Sequence, residues 1–589
     1  MKYLRSFFAA VSIVLVACGA VTAQGLKSSS SKYVAPYTFN SQFQPVLGEN
    51  GMVVAQETYG SEAGLEILKA GGNAVDAAVA TGFALAVTHP QAGNLGGGGF
   101  LLAYLAEEDK VIAIDFREMA PSAAHRDLFL DAEGNVDNRL ARFSMKSSGV
   151  PGTVMGLVDA LEKYGTMSLK DVMKPAIRLA EKGFPMTWGL YDSLARRVEH
   201  LQKNPAAKKY FYKVDGSVYE RDELFKQPDL AKTLKAIANK GVKGFYEGKV
   251  ADQIVAAVQA EGGIMTLEDL KGYKAIEREA VKGTYRDFTV VSMPPPSSGG
   301  VHVIQMLNIL EGYDLKDMGH NSAEYVHRLT ESMKYAYADR SKYLGDPDYF
   351  DVPIAGLTDK EYAAAIRAKI KDDRATPSKE ISPAPKLPYE SNDTTHYSTA
   401  DRWGNMVAVT YTLNFTFGNG KAVDGAGFLM NNEMDDFSAK PGTPNGFGLL
   451  GGEANAIEPG KRPLSSMTPT MVFKDGKPYM VTGSPGGSTI ITVVLQTILN
   501  AMEFDMNAAA ATAAPRIHHQ WFPDRLMVEP GFSIDTLRIL KDKGHMVKAN
   551  SDDPWDRILG STQTIMVRGD GLLMGAADPR RPGAKAAAF

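Results

Sequence analysis

The sequence predicts an α+β layered protein, and three observations carry that expectation. Residues 150–345 are dominated by helical periodicity; a polar, proline-rich connector interrupts the chain at 371–393; and the remainder opens on a strand hairpin and continues as mixed strands and helices. At roughly 100–200 residues per domain, 589 residues could hold three or four small domains or one large enzyme body.

In chain order, residues 1–24 form a leader. Lys2 and Arg5 supply a charged start, 7–17 an apolar stretch, and Val21-Thr22-Ala23 a cleavage site, which together make a signal peptide. The apolar run is too short to span a bilayer, and no later segment reaches about 18 uninterrupted apolar residues. An exported mature protein with no spanning segment is expected. Leu15-Val16-Ala17-Cys18 also resembles a bacterial lipoprotein box, so two readings stand together: a lipid anchor on Cys18, or a stray cysteine in an ordinary leader.

Residues 25–50 are rich in Ser and Tyr and read as an exposed lead-in. From 61 to 87, Ala, Leu and Val at helical spacing predict two helices broken at Gly71-Gly72. A glycine-rich turn at 93–99 precedes strands expected at 100–106 and 111–116. Helices follow at 151–164, 169–182 and 323–344. The connector at 371–393 carries four prolines and reads as exposed and poorly structured. Strands at 394–400 and 406–413 then flank the turn Arg402-Trp403-Gly404-Asn405. Later strands are expected at 470–474, 479–482, 563–567 and 572–575, with helices at 490–502 and 534–543.

Composition excludes several function classes. Lys plus Arg number 64 against 68 Asp plus Glu, so the basic excess of a nucleic-acid binder is missing. The single cysteine lies in the leader, which removes intramolecular disulfides, thiolate zinc sites and a cysteine nucleophile from the mature body. No HExxH pair occurs, and the adjacent His518 and His519 would point different ways on a regular element, so no metal is expected. His125-Arg126-Asp127-Leu128 imitates a kinase loop, but Ala132 stands where the metal-binding asparagine belongs. Gly96 to Gly99 lack the Lys-Ser/Thr of a phosphate loop, and no G-x-S-x-G elbow exists.

The chemistry concentrates at the end of the connector, in Asn392-Asp393-Thr394-Thr395-His396-Tyr397-Ser398. A threonine hydroxyl needs a nearby base to act as a nucleophile, and an N-terminal threonine carries one in its own α-amine, with a pKa of about 7.7–8.0. Chain cleavage before Thr394 would put that amine at a strand edge. From composition alone, a Thr-Thr pair that simply opens a strand is the better reading.

Longer motifs reverse that preference. Residues 92–100, Asp115-Phe116-Arg117-Glu118, 394–398, Asn431-Asn432-Glu433-Met434-Asp435-Asp436-Phe437, 462–467 and Gly483-Ser484-Pro485-Gly486-Gly487 make the sequence resemble the γ-glutamyltransferases, from about residue 55 to 579. The resemblance implies an N-terminal-nucleophile hydrolase fold, a four-layer αββα sandwich of two stacked antiparallel sheets between helical layers. It implies a precursor that cuts itself between Asp393 and Thr394, leaving a large subunit (25–393, with 371–393 as its flexible end) and a small subunit (394–589). It also implies γ-glutamyl substrates such as glutathione, with water, amino acids or peptides as acceptors, no cofactor, and a periplasmic location.

The residue roles follow the same resemblance, and each has a physical rationale. Thr394 is the nucleophile, and Thr412, two residues from Asn414 and expected on the same strand face, would hydrogen-bond it. Arg117 would fork onto the substrate α-carboxylate, with the Ser465 and Ser466 hydroxyls completing its shell. Glu433, Asp436 and Asn414 would take the α-ammonium. Gly486 and Gly487 would aim backbone N–H groups at the oxyanion. Read singly, Arg117 is a surface arginine, Glu433 and Asp436 a solvated acidic loop, and the glycines an ordinary turn.

Bacterial members cover the pocket with a loop corresponding to 444–448, often bearing a tyrosine where this chain has Phe447. A phenylalanine can cover the site but cannot donate a hydrogen bond to Asn414. Two rival readings remain: an N-terminal-nucleophile amidase or acylase acting on a different amide, and an exported binding protein of the same fold that does not process.

Overall fold

Two seven-stranded antiparallel sheets lie face to face in the computed structural model, which describes residues 43–381, 394–549 and 558–589. The first runs, edge to edge, Val46–Gly48, Leu573–Ala577, Gln563–Val567, Lys477–Thr482, Thr470–Lys474, Phe288–Ser292 and Val281–Tyr285. The second runs Lys585–Ala588, Gly51–Ala55, Thr395–Asp401, Met406–Thr412, Gly98–Leu105, Lys110–Phe116 and Ile276–Arg278.

Strand alternation explains the layering. On Gly98–Leu105, Phe100, Leu102 and Tyr104 point to one face, where they meet Met471, Phe473 and Val481 of the other sheet. Leu101 and Ala103 point the opposite way, onto Val75, Val79 and Phe83 of the helix Ala74–Thr88 and Leu157 of Thr153–Tyr164. The outer face of the first sheet, through Val290, Val472 and Met480, packs on Gly299–Leu310, Ala323–Tyr343 and Ile490–Met502. Helix, sheet, sheet, helix is the expected αββα order. Each sheet mixes strands from before and after residue 394, so a cut there would leave two interlocked chains.

Local chemistry accounts for most element limits. The break between the first two long helices falls at Gly71, whose φ is +97°, and Asn73 then caps the next helix in a reciprocal box with Asp76. The structure corrects three expectations. The lead-in ends in a strand, because Val46, Leu47 and Gly48 pair with Gly575, Met574 and Leu573. Within the stretch read as helical, Val281–Tyr285 and Phe288–Ser292 form a hairpin whose two-residue turn places Arg286 at φ +51°. In the connector, residues 371–381 are docked. The N–H of Ser378 donates to Asp524 at 2.8 Å, its carbonyl accepts from Trp521 Nε1 at 2.9 Å, and Ala375 N–H reaches the Lys543 carbonyl at 2.7 Å. The leader, Cys18, residues 382–392 and Asp393 lie outside the described residues.

Candidate active site

Thr394 stands at the start of a central strand, and its neighbours sort by the pleat. Its side chain is directed at Thr412, the last residue of the adjacent strand, with the two hydroxyls 3.3 Å apart. Thr395 faces the opposite way and donates to Gln56 Oε1 at 3.0 Å. His396 is fully buried between Thr410 (2.8 Å) and Ser398 (3.1 Å), and burial lowers its pKa to about 3. It is a neutral group with both ring nitrogens already engaged.

Asn414 departs from the expected geometry. The strand ends at Thr412, and Asn414 adopts φ +76°, a left-handed conformation that asparagine tolerates. The turn lets its backbone N–H donate to Thr412 Oγ1 at 2.9 Å and its Nδ2 to the Asn432 carbonyl at 2.9 Å. Asn431 fastens the same segment from below, donating to the carbonyls of Gly96 (2.7 Å) and Gly149 (2.8 Å). Gly97 permits this close packing, since a Cβ there would fall 2.0 Å from the Thr412 carbonyl oxygen.

The acidic segment Glu433–Asp436, a 3₁₀ turn, is thereby carried to Arg117. Arg117 is fully buried and donates in three directions: one Nη to Glu433, the other to Asp436 at 2.5 Å, and Nε to the Pro463 carbonyl at 3.2 Å. Burial works against its charge, but Glu433, Asp436 and Glu118 together outweigh that and hold its pKa above the ordinary value. Glu118, 3.6 Å from the guanidinium, is pushed up to about 7 by burial despite the pull of Arg117. Burial also drives Glu433 well above the usual carboxylate range, with Glu118 and Asp436 adding to the effect. Burial raises Asp436 as well, so three carboxyl groups surround one guanidinium, and an arriving cation would favour their charged forms.

Arg117, Thr394, Thr412, Asn414, Glu433, Asp436, Phe447, Ser465, Ser466 and Gly487 all line one cavity. Of the described candidates only Gly486 stands back from it. Gly486 and Gly487 have φ of +135° and +53° and lead into the helix Ile490–Met502, whose N-terminus is thereby turned toward the cavity. Phe447 lies on the cavity lining. Its ring meets Phe415 edge-on at 5.4 Å and lies so near Gly487 that a Cβ there would come within 2.5 Å of it. Asn445, two residues before Phe447, donates from Nδ2 to Asp436 Oδ1 at 3.1 Å. The apolar lining by Leu449, Met467 and Ile490, and the buried Glu118, were not among the candidates. Met467 and Glu118 sit inside the quoted motifs, which was the available signal.

Among the described residues one group, His327, Glu331 and His545, brings metal-ligand atoms within 4.8 Å of one another. Two of its members are engaged elsewhere: Glu331 by Lys334 at 3.0 Å and by the Thr376 N–H, and His327 by the Lys371 carbonyl at 2.6 Å. These bonds clamp residues 371–376 onto the helix Ala323–Tyr343.

A threonine opening a central strand of an αββα sandwich, with its hydroxyl in a charged cavity, defines an N-terminal-nucleophile hydrolase. The chain belongs to the γ-glutamyltranspeptidase family, whose sequence model matches residues 60–588. It is 53% identical over 538 residues to the glutathione hydrolase proenzyme of Escherichia coli K12, covering 91% of this chain and 92% of that protein. Among solved structures, it is similar to a cephalosporin acylase from Bacillus halodurans (TM-score 0.82, 29% identity, 95% of this chain and 98% of the other). The Helicobacter pylori γ-glutamyltranspeptidase chain is 46% identical, with a TM-score of 0.54 over 55% of this chain and 93% of that one.

Proposed function

We propose that the protein is an exported precursor that cuts itself before Thr394 and then works as a γ-glutamyl hydrolase and transferase on glutathione and related compounds. The Thr394 hydroxyl attacks the Asp393 carbonyl, the chain shifts from nitrogen to oxygen, and water releases the ester. The freed α-amine then serves as base for the same hydroxyl. Thr394 next attacks the γ-amide of the donor and expels its amine. The resulting γ-glutamyl ester passes to water or to an acceptor amine.

The observation that carries this reading is the shared cavity, which sets the Thr394 hydroxyl opposite Arg117, Glu433 and Asp436. A γ-glutamyl group presents an α-ammonium and an α-carboxylate at its far end, so it requires both signs of charge. The ammonium takes over Glu433 and Asp436 and releases a face of the Arg117 guanidinium to the carboxylate. An acylase for an apolar group would have no use for this wall. Gly486 and Gly487 are assigned to the oxyanion, and Thr412 and Asn414 to orienting Thr394 and the ammonium.

Two chains on a denaturing gel and release of p-nitroaniline from a γ-glutamyl but not an uncharged acyl anilide are expected. Preference for the uncharged anilide would establish the acylase alternative, and a single inactive chain the binding-protein alternative. Export by the signal peptide at 1–24, to a periplasm, belongs to the same proposal; among the described residues no helix is long and apolar enough to cross a membrane.

A further inference from the structure

Five arginines are buried in the described chain, and four of them pair with carboxylates. Arg117 meets Glu433 and Asp436, Arg328 meets Asp372, Arg462 approaches Asp115, and Arg516 meets Asp578. The fifth, Arg340, is 4% exposed and forms no ion pair among the described residues. It lies in the last turn of the helix Ala323–Tyr343, and its partners are two hydroxyls: Nε donates to Ser298 Oγ at 2.9 Å and Nη2 to Ser466 Oγ at 3.1 Å. Ser466 lines the cavity.

The hydrogen-bond inventory gives this arrangement a direction. A serine hydroxyl has one proton to donate and lone pairs to accept with. Ser298 spends its proton on the Ser465 carbonyl at 2.7 Å and accepts from Arg340. Ser466 likewise accepts from Arg340, which leaves its proton for the cavity. Ser465 is set the same way, accepting the Met467 N–H at 3.1 Å. Burial lowers the Arg340 pKa to about 10, with Tyr337 and Asp436 opposing the fall and Arg117 adding to it, so the guanidinium is charged at neutral pH. The Arg117 charge, by contrast, is already met by three carboxyl groups.

We propose that Arg340 is a positioning residue of the α-carboxylate subsite: it fixes Ser466 as a donor toward an incoming carboxylate and supplies, through that hydroxyl, the buried positive charge the carboxylate neutralises. The assignment rests on the γ-glutamyl reading above. An Arg340 that merely tied its helix to the loop would affect folding, and donors with and without a carboxylate alike.

The test compares γ-glutamyl-p-nitroanilide with γ-aminobutyryl-p-nitroanilide, which lacks only the α-carboxylate, on the processed full-length enzyme. Turnover of the first donor by the unsubstituted enzyme is established beforehand; its failure overturns the γ-glutamyl reading itself. Given that turnover, Arg340→Gln is expected to raise KM for the γ-glutamyl donor by about tenfold or more, with kcat changed by less than about threefold. Its kcat/KM on the γ-aminobutyryl donor stays near that of the unsubstituted enzyme. Arg340→Lys, which keeps the charge without the fork, falls between. In a Ser466→Ala background, Arg340→Gln adds less than about a twofold change, because the two act as one unit. An equal loss on both donors, or full additivity with Ser466→Ala, overturns the proposal. Should Arg340→Gln remain unprocessed, Ser466→Ala and Arg340→Lys must each raise KM for the carboxylate-bearing donor alone. A donor-independent effect in both refutes it.

Discussion

Replacing Arg117 by lysine isolates the value of a planar, forked cation. In the resting site the guanidinium serves Glu433, Asp436 (2.5 Å) and the Pro463 carbonyl (3.2 Å) at once, in three directions of one plane. A lysine ammonium is a single point, and from the same backbone position it cannot span two carboxyl groups and a carbonyl so disposed. At least one charge-assisted hydrogen bond is lost, worth about 1.5–3 kcal/mol. At 1.36 kcal/mol per tenfold, kcat/KM for a γ-glutamyl anilide should fall by about 10- to 100-fold. Self-cleavage should survive, since the bond cut there is not a γ-glutamyl amide. Steady-state release of p-nitroaniline gives the first quantity and a denaturing gel the second. A variant with unchanged kcat/KM refutes the assignment of Arg117 to the substrate.

The other expectations use the same structure at different points. Gly487→Ala forces a Cβ to within 2.5 Å of the Phe447 ring at φ +53°, so kcat should drop by about 100-fold or more as the oxyanion donor shifts, measured beside unaltered subunit bands. Thr412→Val removes the hydroxyl 3.3 Å from Thr394 and should slow maturation in a timed gel, whereas Thr395→Ala, which loses only a bond to Gln56, should mature normally at a stability cost of about 1 kcal/mol. Glu57, the buried N-cap of the helix Thr58–Lys69, is raised from its ordinary 4.5 to about 7, chiefly by burial. The folded state therefore binds the extra proton: its stabilising effect is complete below 4.5 and lost as pH rises through 7, by about 3 kcal/mol in all. Glu57→Gln should accordingly raise Tm relative to the unsubstituted protein in alkaline but not acidic buffer; an equal change in both would show that burial does not set the Glu57 ionisation.

The elements legible in the sequence were those whose pattern is local. Leu169–Lys182, Thr470–Lys474, Ile490–Met502 and Gln563–Val567 match their expected limits, because periodicity and flanking turns define them without reference to partners. The hairpin over 281–292 was hidden inside a helical neighbourhood although Val-Lys-Gly-Thr-Tyr and Phe-Thr-Val-Val-Ser are strand-forming, since its pairing partner, Thr470–Lys474, lies far along the chain. The same distance hid the Val46–Gly48 edge, which exists only through Leu573–Ala577. In the site, Glu433 and Asp436 read alone as a solvated loop. What buries them is the asparagine stitching of Asn431 and Asn432 to Gly96, Gly149 and Leu413, a tertiary contact that only motif resemblance could anticipate. Asn414 was expected on the strand, but its φ of +76° takes it off, and no single-residue propensity announces that turn.

The central claim is that Thr394 becomes a chain terminus and the nucleophile. N-terminal sequencing of the smaller chain from purified, incubated protein tests it most directly, paired with Thr394→Ala. The account predicts a chain that begins Thr-Thr-His-Tyr-Ser and runs over 394–589, and a single uncut, inactive chain for Thr394→Ala. A smaller chain that begins at Thr395, or a Thr394→Ala protein that still yields two active chains, would contradict it.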